Sequence, residues 1–317
     1  MDTTVFYPVL IAFGINVILC PIFIPFLTKL KFGQYVRDDG PKSHIKKAGT
    51  PTMGGIIILI SIIITSLIFA ESNPEIIPIL FATVGFGIIG FLDDYIKVVM
   101  KRSLGLKPIQ KILGQIIVTV IFGYYMLNFT NVGTAIIIPF TSGKSFELGI
   151  LFVPFLLFVM IGTVNSVNLT DGLDGLASGI TVLVATFFAV VAWGQNSEIL
   201  SITGAAVGSL LGFLLFNTYP AKVFMGDTGS LALGGFVAAS AFMLNMPIFL
   251  LIVGFIYVCE AVSVIMQVTY YKATKKRIFK MAPIHHHFEL SGWKESKIVA
   301  VFSIITAILC IIALLAI

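Results

Sequence analysis

The sequence predicts an all-α polytopic integral membrane protein with about ten transmembrane helices, both termini outside and the polar loops cytoplasmic. Three observations carry that expectation. Of 317 residues, 58% are hydrophobic and 11% charged, with a mean hydropathy of +1.04, whereas a soluble domain carries roughly 25% charged residues. The apolar residues gather in ten runs of near-spanning length. With those runs taken as spans, every Lys and Arg except Lys144 falls on one side, as the positive-inside rule requires.

The runs lie at about 5–27, 53–70, 77–93, 112–128, 148–166, 176–194, 199–216, 231–246, 248–271 and 297–316. The first is preceded by Met1-Asp2-Thr3-Thr4, which lacks the basic region of a secretory signal. Several runs are short or interrupted by Gly, which suits helices that pack on protein rather than on lipid. Residues 129–147, where Thr130, Gly133, Thr141 and Gly143 flank Ala135 to Phe140, read as a β-hairpin on the outer side. The weakest boundary is Asn245-Met246-Pro247, either a tight turn or a kink. Merging the spans there would send the basic segment from Lys272 onward to the wrong face, so a turn is expected. Cys20, Cys259 and Cys310 all lie in apolar runs and offer neither a disulfide framework nor zinc spacing. No repeat, linker or soluble domain interrupts the chain, so residues 1–317 form one transmembrane domain. The basic balance, with pI near 9.0, is explained by topology and the lipid bilayer and calls for no nucleic acid.

Five polar clusters stand at the cytoplasmic ends of spans. The densest is Asn165-Ser166-Val167-Asn168-Leu169-Thr170-Asp171-Gly172-Leu173-Asp174-Gly175. As a helix it would carry Asn165, Asn168, Asp171 and Asp174 at steps of three along one face. Such a cluster between apolar segments is costly unless a metal, phosphate or other polar partner meets it; the plainer account is a polar loop with helix caps. Lys42 to Gly55, with Lys47 and Thr52, reads equally as a phosphate contact before a helix or as a basic loop capped by Thr52. Asp93-Asp94 at a helix end calls for a cation or a shared proton, unless Lys97, one turn on, simply pairs with it.

The fourth cluster runs from Asn217 through Phe224 and Gly226 to Asp227 and Ser230. Asp227 either caps the following helix or ligates a hard metal beside a base stacked on Phe224. The fifth, His285-His286-His287-Phe288-Glu289, has consecutive rings that point apart, which suits phosphate binding or proton transfer better than zinc. Carboxylates and amides without nearby thiolates favour Mg²⁺, which uses one or two carboxylates plus substrate phosphates. The clusters therefore suggest pyrophosphate chemistry at the lipid boundary.

These motifs together resemble the phospho-N-acetylmuramoyl-pentapeptide-transferase family, a branch of the polyprenyl-phosphate N-acetylhexosamine-1-phosphate transferase superfamily. The resemblance runs from Gly49-Thr50-Pro51-Thr52-Met53-Gly54-Gly55 to His285-His286-His287-Phe288-Glu289. Asp93-Asp94 and the 168–175 run are superfamily features, while the Gly-Thr-Pro-Thr-Met-Gly-Gly run and the histidines mark the branch. The resemblance implies a homodimer of ten-helix chains in the bacterial cytoplasmic membrane, with a Mg²⁺-dependent active site on the cytoplasmic face. Its reaction moves phospho-MurNAc-pentapeptide from UDP-MurNAc-pentapeptide to undecaprenyl phosphate, giving lipid I and UMP in peptidoglycan synthesis.

On this sequence Asp227 matches the Mg²⁺ ligand, and Asp93 and Asp94 the acidic catalytic pair. Lys47, Thr52, Asn168, Asp171, Leu173, Asp174, Phe224 and Gly226 match the nucleoside pocket, and His285, His286 and His287 the histidine motif. Lys97 is counted with the catalytic residues, and Asn165 and Asn217 with the substrate-binding ones. In the expected reaction the lipid phosphate attacks the β-phosphorus, Asp93 takes up its proton or orients it, and Lys97 neutralises developing charge. A covalent aspartyl-phosphate route is the alternative. Competing functions are a sister transferase that uses UDP-GlcNAc, and a secondary transporter with Glu260, midway in its run, as an ion site. The transporter reading suffers because the polar residues gather on one face; a buried hydrogen bond is the expected role of Glu260.

Overall fold

Each predicted apolar run is helical in the computed structural model, which describes residues 6–29, 47, 49–71, 73–100 and 104–317. Lys42, Ser43, His44 and Lys46 of the first basic cluster, with Lys101 and Arg102, lie outside the described residues. In chain order come α1 (Tyr7–Lys29), α2 (Gly55–Ala70), α3 (Ile76–Val98) and α4 (Pro108–Phe129). A hairpin of β1 (Ala135–Ile137) and β2 (Ser145–Glu147) follows, then α5 (Phe152–Thr170), α6 (Leu176–Gly194), α7 (Leu200–Asn217) and α8 (Gly226–Met243). The chain ends with α9 (Leu250–Val253), α10 (Phe255–Thr274), α11 (Ile284–Glu289) and α12 (Glu295–Leu315).

Seven of these helices are long and apolar enough to cross a membrane, or eight if the bent α9–α10 pair is one span, which makes the chain a multi-pass membrane protein. The central helix α8 is not among them, and its surroundings explain why. Every residue from Thr228 to Met243 is buried, and α8 packs on α2, α3, α5 and α6. A helix sheathed by protein needs small residues more than apolar ones. A Cβ at Gly90 of α3 would lie 2.1 Å from the carbonyl oxygen of Asp227, so the α3–α8 crossing tolerates no side chain there.

The break before Pro247 is a turn, as the charge distribution predicts: Asn245 has φ +58° and a 3-10 turn spans Pro247–Phe249. The run at 248–271 is not one straight element, however. It bends by 83° at Gly254 between the Pro247–Val253 segment and α10. Continuous hydrophobicity conceals such a bend, because both arms are equally apolar.

The two ends of the bundle differ. At one, the predicted hairpin pairs antiparallel, Ala135 opposite Glu147 and Ile137 opposite Ser145. It docks on the α8–α9 turn and on the chain's end, through Ile137 N to Asn245 O (2.7 Å) and Phe140 N to Ala316 O (2.8 Å). At the other end the loops preceding α2, α4, α6, α8 and α12 converge through the polar contacts described next.

Candidate functional site

Two polar groups form at that end, joined by the turn at residues 171–175. The first is built on Asp227, the second residue of α8. Its Oδ2 lies 3.0 Å from Nζ of both Lys97 and Lys111, and its Oδ1 accepts from Asn168 Nδ2 at 2.9 Å. Lys97 also reaches back one turn to Asp93, with Nζ 2.5 Å from Oδ2. Helix α3 therefore brings one carboxylate and one ammonium, α8 a second carboxylate, α4 a second ammonium and α5 an amide. Asp93 Oδ1 accepts from Leu106 N (2.9 Å), while its buried Oδ2 has no hydrogen bond in line, only the ammonium beside it.

The adjacent aspartates do different things. Asp94 faces the start of α8: Oδ1 accepts from Asp227 N (3.1 Å), and Oδ2 from Thr228 N (2.8 Å) and Thr228 Oγ1 (2.7 Å). The first N–H groups of a helix lack intrahelical acceptors, and α8 has no cap from its own chain segment. Asp94 supplies that cap from α3. Asp227 does not cap α8, nor does Thr52 cap α2, whose N-cap is Gly54 without a side-chain bond. Gly226 takes φ +71°, and a Cβ there would meet Asp94 Oδ2 at 2.6 Å and Thr52 Oγ1 at 2.9 Å. Close approach and a left-handed backbone both demand glycine.

Helix α5 stops at Thr170, so of the four residues expected along one helix face Asn165 and Asn168 are helical, but Asp171 and Asp174 sit in the turn beyond it. Asn165 is exchanged with Gln115 of α4, Nδ2 to Oε1 2.8 Å and the reverse contact 3.3 Å. Half-buried Asp171 is held well above the ordinary carboxylate range, by removal from water first and then by the charges of Asp227, Asp94 and Asp174.

The second group centres on Lys47, whose Nζ lies 2.7 Å from Asp174 Oδ1 and 2.6 Å from Glu295 Oε1. Burial alone would lower the pKa of this ammonium; the two carboxylates outweigh that effect and raise it. Asp174 Oδ2 accepts from Ala221 N (2.9 Å), tying the turn to the loop that carries Phe224. Phe224 N donates to Pro51 O and its carbonyl accepts from Gly54 N, each 2.8 Å, so the loop is laced to the chain before α2. Leu173 is buried in the core, and buried Asn217 binds Val223 O (2.9 Å) and Ser178 Oγ (2.5 Å), bracing the same loop.

The three histidines take different polar partners, but the rings of His285 and His286 lie against each other with centroids 4.1 Å apart. The expectation that consecutive rings point apart fails for this pair, because both pack on the same side of the short helix α11. His285 is fully buried, its Nδ1 3.0 Å from the equally buried Glu260, which gives that acid a partner. On the other side its Nε2 presses on Gly172, where a Cβ would lie 2.2 Å away. His286 Nδ1 is 2.7 Å from Glu289 Oε2, and His287 Nδ1 accepts from Lys280 N at 3.1 Å. Lys111, Gln115 and Glu295 were not among the sequence candidates, and Ser230, the end of the fourth cluster but given no role, lies 2.8 Å from Asn168 Nδ2.

Among the described residues no three His, Cys, Asp or Glu side chains form a ready-made metal cage. The donor set nevertheless suits a hard cation that completes its shell from substrate: carboxylate oxygens from α3 and α8, one of them buried with only the Lys97 ammonium beside it, and no sulfur among them.

The chain is similar to known proteins. The profile of glycosyl transferase family 4 matches residues 76–245, and phospho-N-acetylmuramoyl-pentapeptide-transferase signature 1 matches residues 47–59. A phospho-N-acetylmuramoyl-pentapeptide-transferase of Clostridium botulinum (strain Eklund 17B / Type B) is 52% identical over 318 residues, covering 100% of this chain and 97% of the relative. Those of Acetivibrio thermocellus and Bacillus subtilis (strain 168) are 55% and 51% identical, over 97% and 95% of this chain and 93% and 94% of their own lengths.

Proposed function

The chain belongs to the phospho-N-acetylmuramoyl-pentapeptide-transferase family, and from that premise we propose how its site works. It transfers phospho-MurNAc-pentapeptide from UDP-MurNAc-pentapeptide to undecaprenyl phosphate, giving lipid I and UMP in peptidoglycan synthesis. This reading stands over the UDP-GlcNAc and transporter alternatives. The observation that carries the mechanism is the meeting of Asp93, Asp227, Lys97 and Lys111, from three helices, at the amino end of α8.

In-line displacement at phosphorus needs positioning and charge neutralisation more than covalent help. Lys97 and Lys111 supply positive charge for the pyrophosphate. Asp93 orients the attacking lipid phosphate or takes its proton. Asp94, whose oxygens are fully used by α8, acts by holding Asp227 in register. Asn168 sets the Asp227 carboxylate from the other side. Asp227, with Asp93 beside it, would hold Mg²⁺, which when bound stabilises negative charge on the phosphates. Lys47, Thr52, Asp171, Asp174, Phe224 and Gly226 form the nucleoside side, with Leu173 buried beneath it and Asn217 bracing the loop that carries Phe224, while Asn165 ties α5 to α4. The histidines stand behind them, His285 through Gly172.

The same reading places ten crossings in the bacterial cytoplasmic membrane, the site on the cytoplasmic face and two chains in a homodimer. Its support is the segregation of basic residues and the family resemblance. The test is UMP release by the purified protein in detergent, with and without Mg²⁺, with and without undecaprenyl phosphate, and with UDP-GlcNAc as a parallel donor. Release that needs both Mg²⁺ and lipid, from the pentapeptide donor alone, is expected. Stoichiometric UMP release without lipid would replace direct displacement by the covalent route, and use of UDP-GlcNAc alone would overturn the substrate assignment.

A further inference from the structure

We propose that Glu295 is a positioning residue for the nucleotide donor, locking Lys47 and the 171–175 turn together from the first turn of α12. This role rests on the transferase reading above. Glu295 Oε1 lies 2.6 Å from Lys47 Nζ and accepts from the backbone N of Asp174, also at 2.6 Å. Helix α5 has ended at Thr170, so the Asp174 N–H has no helical acceptor, and Glu295 provides one. Asp174 closes the ring through Lys47 (2.7 Å) and passes it on to Ala221 N (2.9 Å). One carboxylate thus fixes the chain before α2, the turn after α5 and, through Asp174, the loop before α8. Its side chain is only 8% exposed, so water is a poor substitute for these partners.

Charge decides which part of the donor this corner serves. Two carboxylates meet one ammonium here, whereas in the first group the two ammonium groups of Lys97 and Lys111 balance the carboxylates of Asp93 and Asp227. A surplus of negative charge repels pyrophosphate and suits the neutral, hydrogen-bonding nucleoside end. Glu295 therefore sets donor affinity, and the lipid acceptor does not touch this corner.

The experiment compares wild type, Glu295→Gln and Glu295→Ala as full-length protein in detergent. Steady-state UMP release is read against each substrate in turn, together with the shift in melting temperature produced by UMP. Gln keeps an acceptor oxygen for both N–H groups; Ala removes it. We expect Ala to raise the donor KM about tenfold and shrink the UMP-induced shift, with the undecaprenyl phosphate KM within about twofold of wild type. Gln should recover the donor KM to within about threefold. Should Ala not give monodisperse protein, Glu295→Asp, one methylene short, replaces it in the same comparison. An unchanged donor KM, an equal rise in both KM values, or Gln no better than Ala would overturn the role while leaving the transferase reading in place. A folded wild type that releases no UMP would overturn that reading and this role with it.

Discussion

Replacing Asp94 should damage the fold as well as the activity, and replacing its neighbour Asp93 should not. Asp94 is buried and accepts three hydrogen bonds, from Asp227 N (3.1 Å), Thr228 N (2.8 Å) and Thr228 Oγ1 (2.7 Å). Hydrogen bonds to charged groups are each worth about 1.5–3 kcal/mol, and an N-cap about 1 kcal/mol, without simple additivity. Asp94→Ala strips all three from the start of a helix buried along its length, so a loss of about 3–5 kcal/mol follows. At roughly 2–4 °C per kcal/mol for a chain of some size, the melting temperature should fall by about 6–20 °C. Asp93→Asn keeps the bond from Leu106 N and loses mainly the charge opposite the half-exposed Lys97, so its melting temperature should move by less than about 3 °C while turnover collapses. The assay is thermal unfolding of both detergent-purified variants beside UMP release per folded molecule. If Asp94→Ala melts with wild type and loses only activity, the capping role is wrong, and Asp94 belongs with the reacting groups.

Three further outcomes are expected. Asp227→Asn should lower kcat by at least about 10²-fold, because it removes the charge on which Lys97, Lys111 and Asn168 converge; a loss of less than tenfold in UMP release would refute this. Asp171 has a raised folded pKa, so between the ordinary carboxylate range and that raised value the folded chain binds the extra proton and stability falls as pH rises. Asp171→Asn should therefore melt higher than wild type at pH 7, with the gain vanishing toward pH 4, and a pH-independent difference would count against the raised pKa. Gly172→Ala drives a methyl to 2.2 Å from His285 Nε2 and should lower the melting temperature, whereas the same change in a His285→Ala background should cost little; equal losses in both backgrounds would mean that the ring is not what the methyl meets.

The acidic pair and the histidine run show where sequence reading reaches its limit. Adjacent residues on a helix point about 100° apart, so Asp93-Asp94 must serve two neighbours, but which faces α8 depends on how α3 crosses it. That crossing is set by Gly90 against Asp227, a contact between residues far apart in the chain. Likewise three consecutive histidines were legible as a motif, and only packing divides them into one buried against Glu260, one beside Glu289 and one on Lys280 N. The 83° bend at Gly254 escaped because hydropathy measures composition along a run and carries no information on its direction.

By itself the sequence determined the class of the protein, its apolar runs, the hairpin, the turn before Pro247 and the residues from which a phosphate-transfer site would be assembled. These rest on local quantities: hydropathy, spacing, charge placement and short motifs. The pairing of Lys97 with Asp93 was readable too, since one helical turn separates them. Only the tertiary structure decided that Lys111 joins Asp227, that Gln115 engages Asn165 and that Glu295 closes on Lys47. Each of those partners is 50 or more residues away in the chain. The physical reason is that an ion pair or amide pair is specified by the position of both ends, and helix packing alone brings such distant ends within bonding distance.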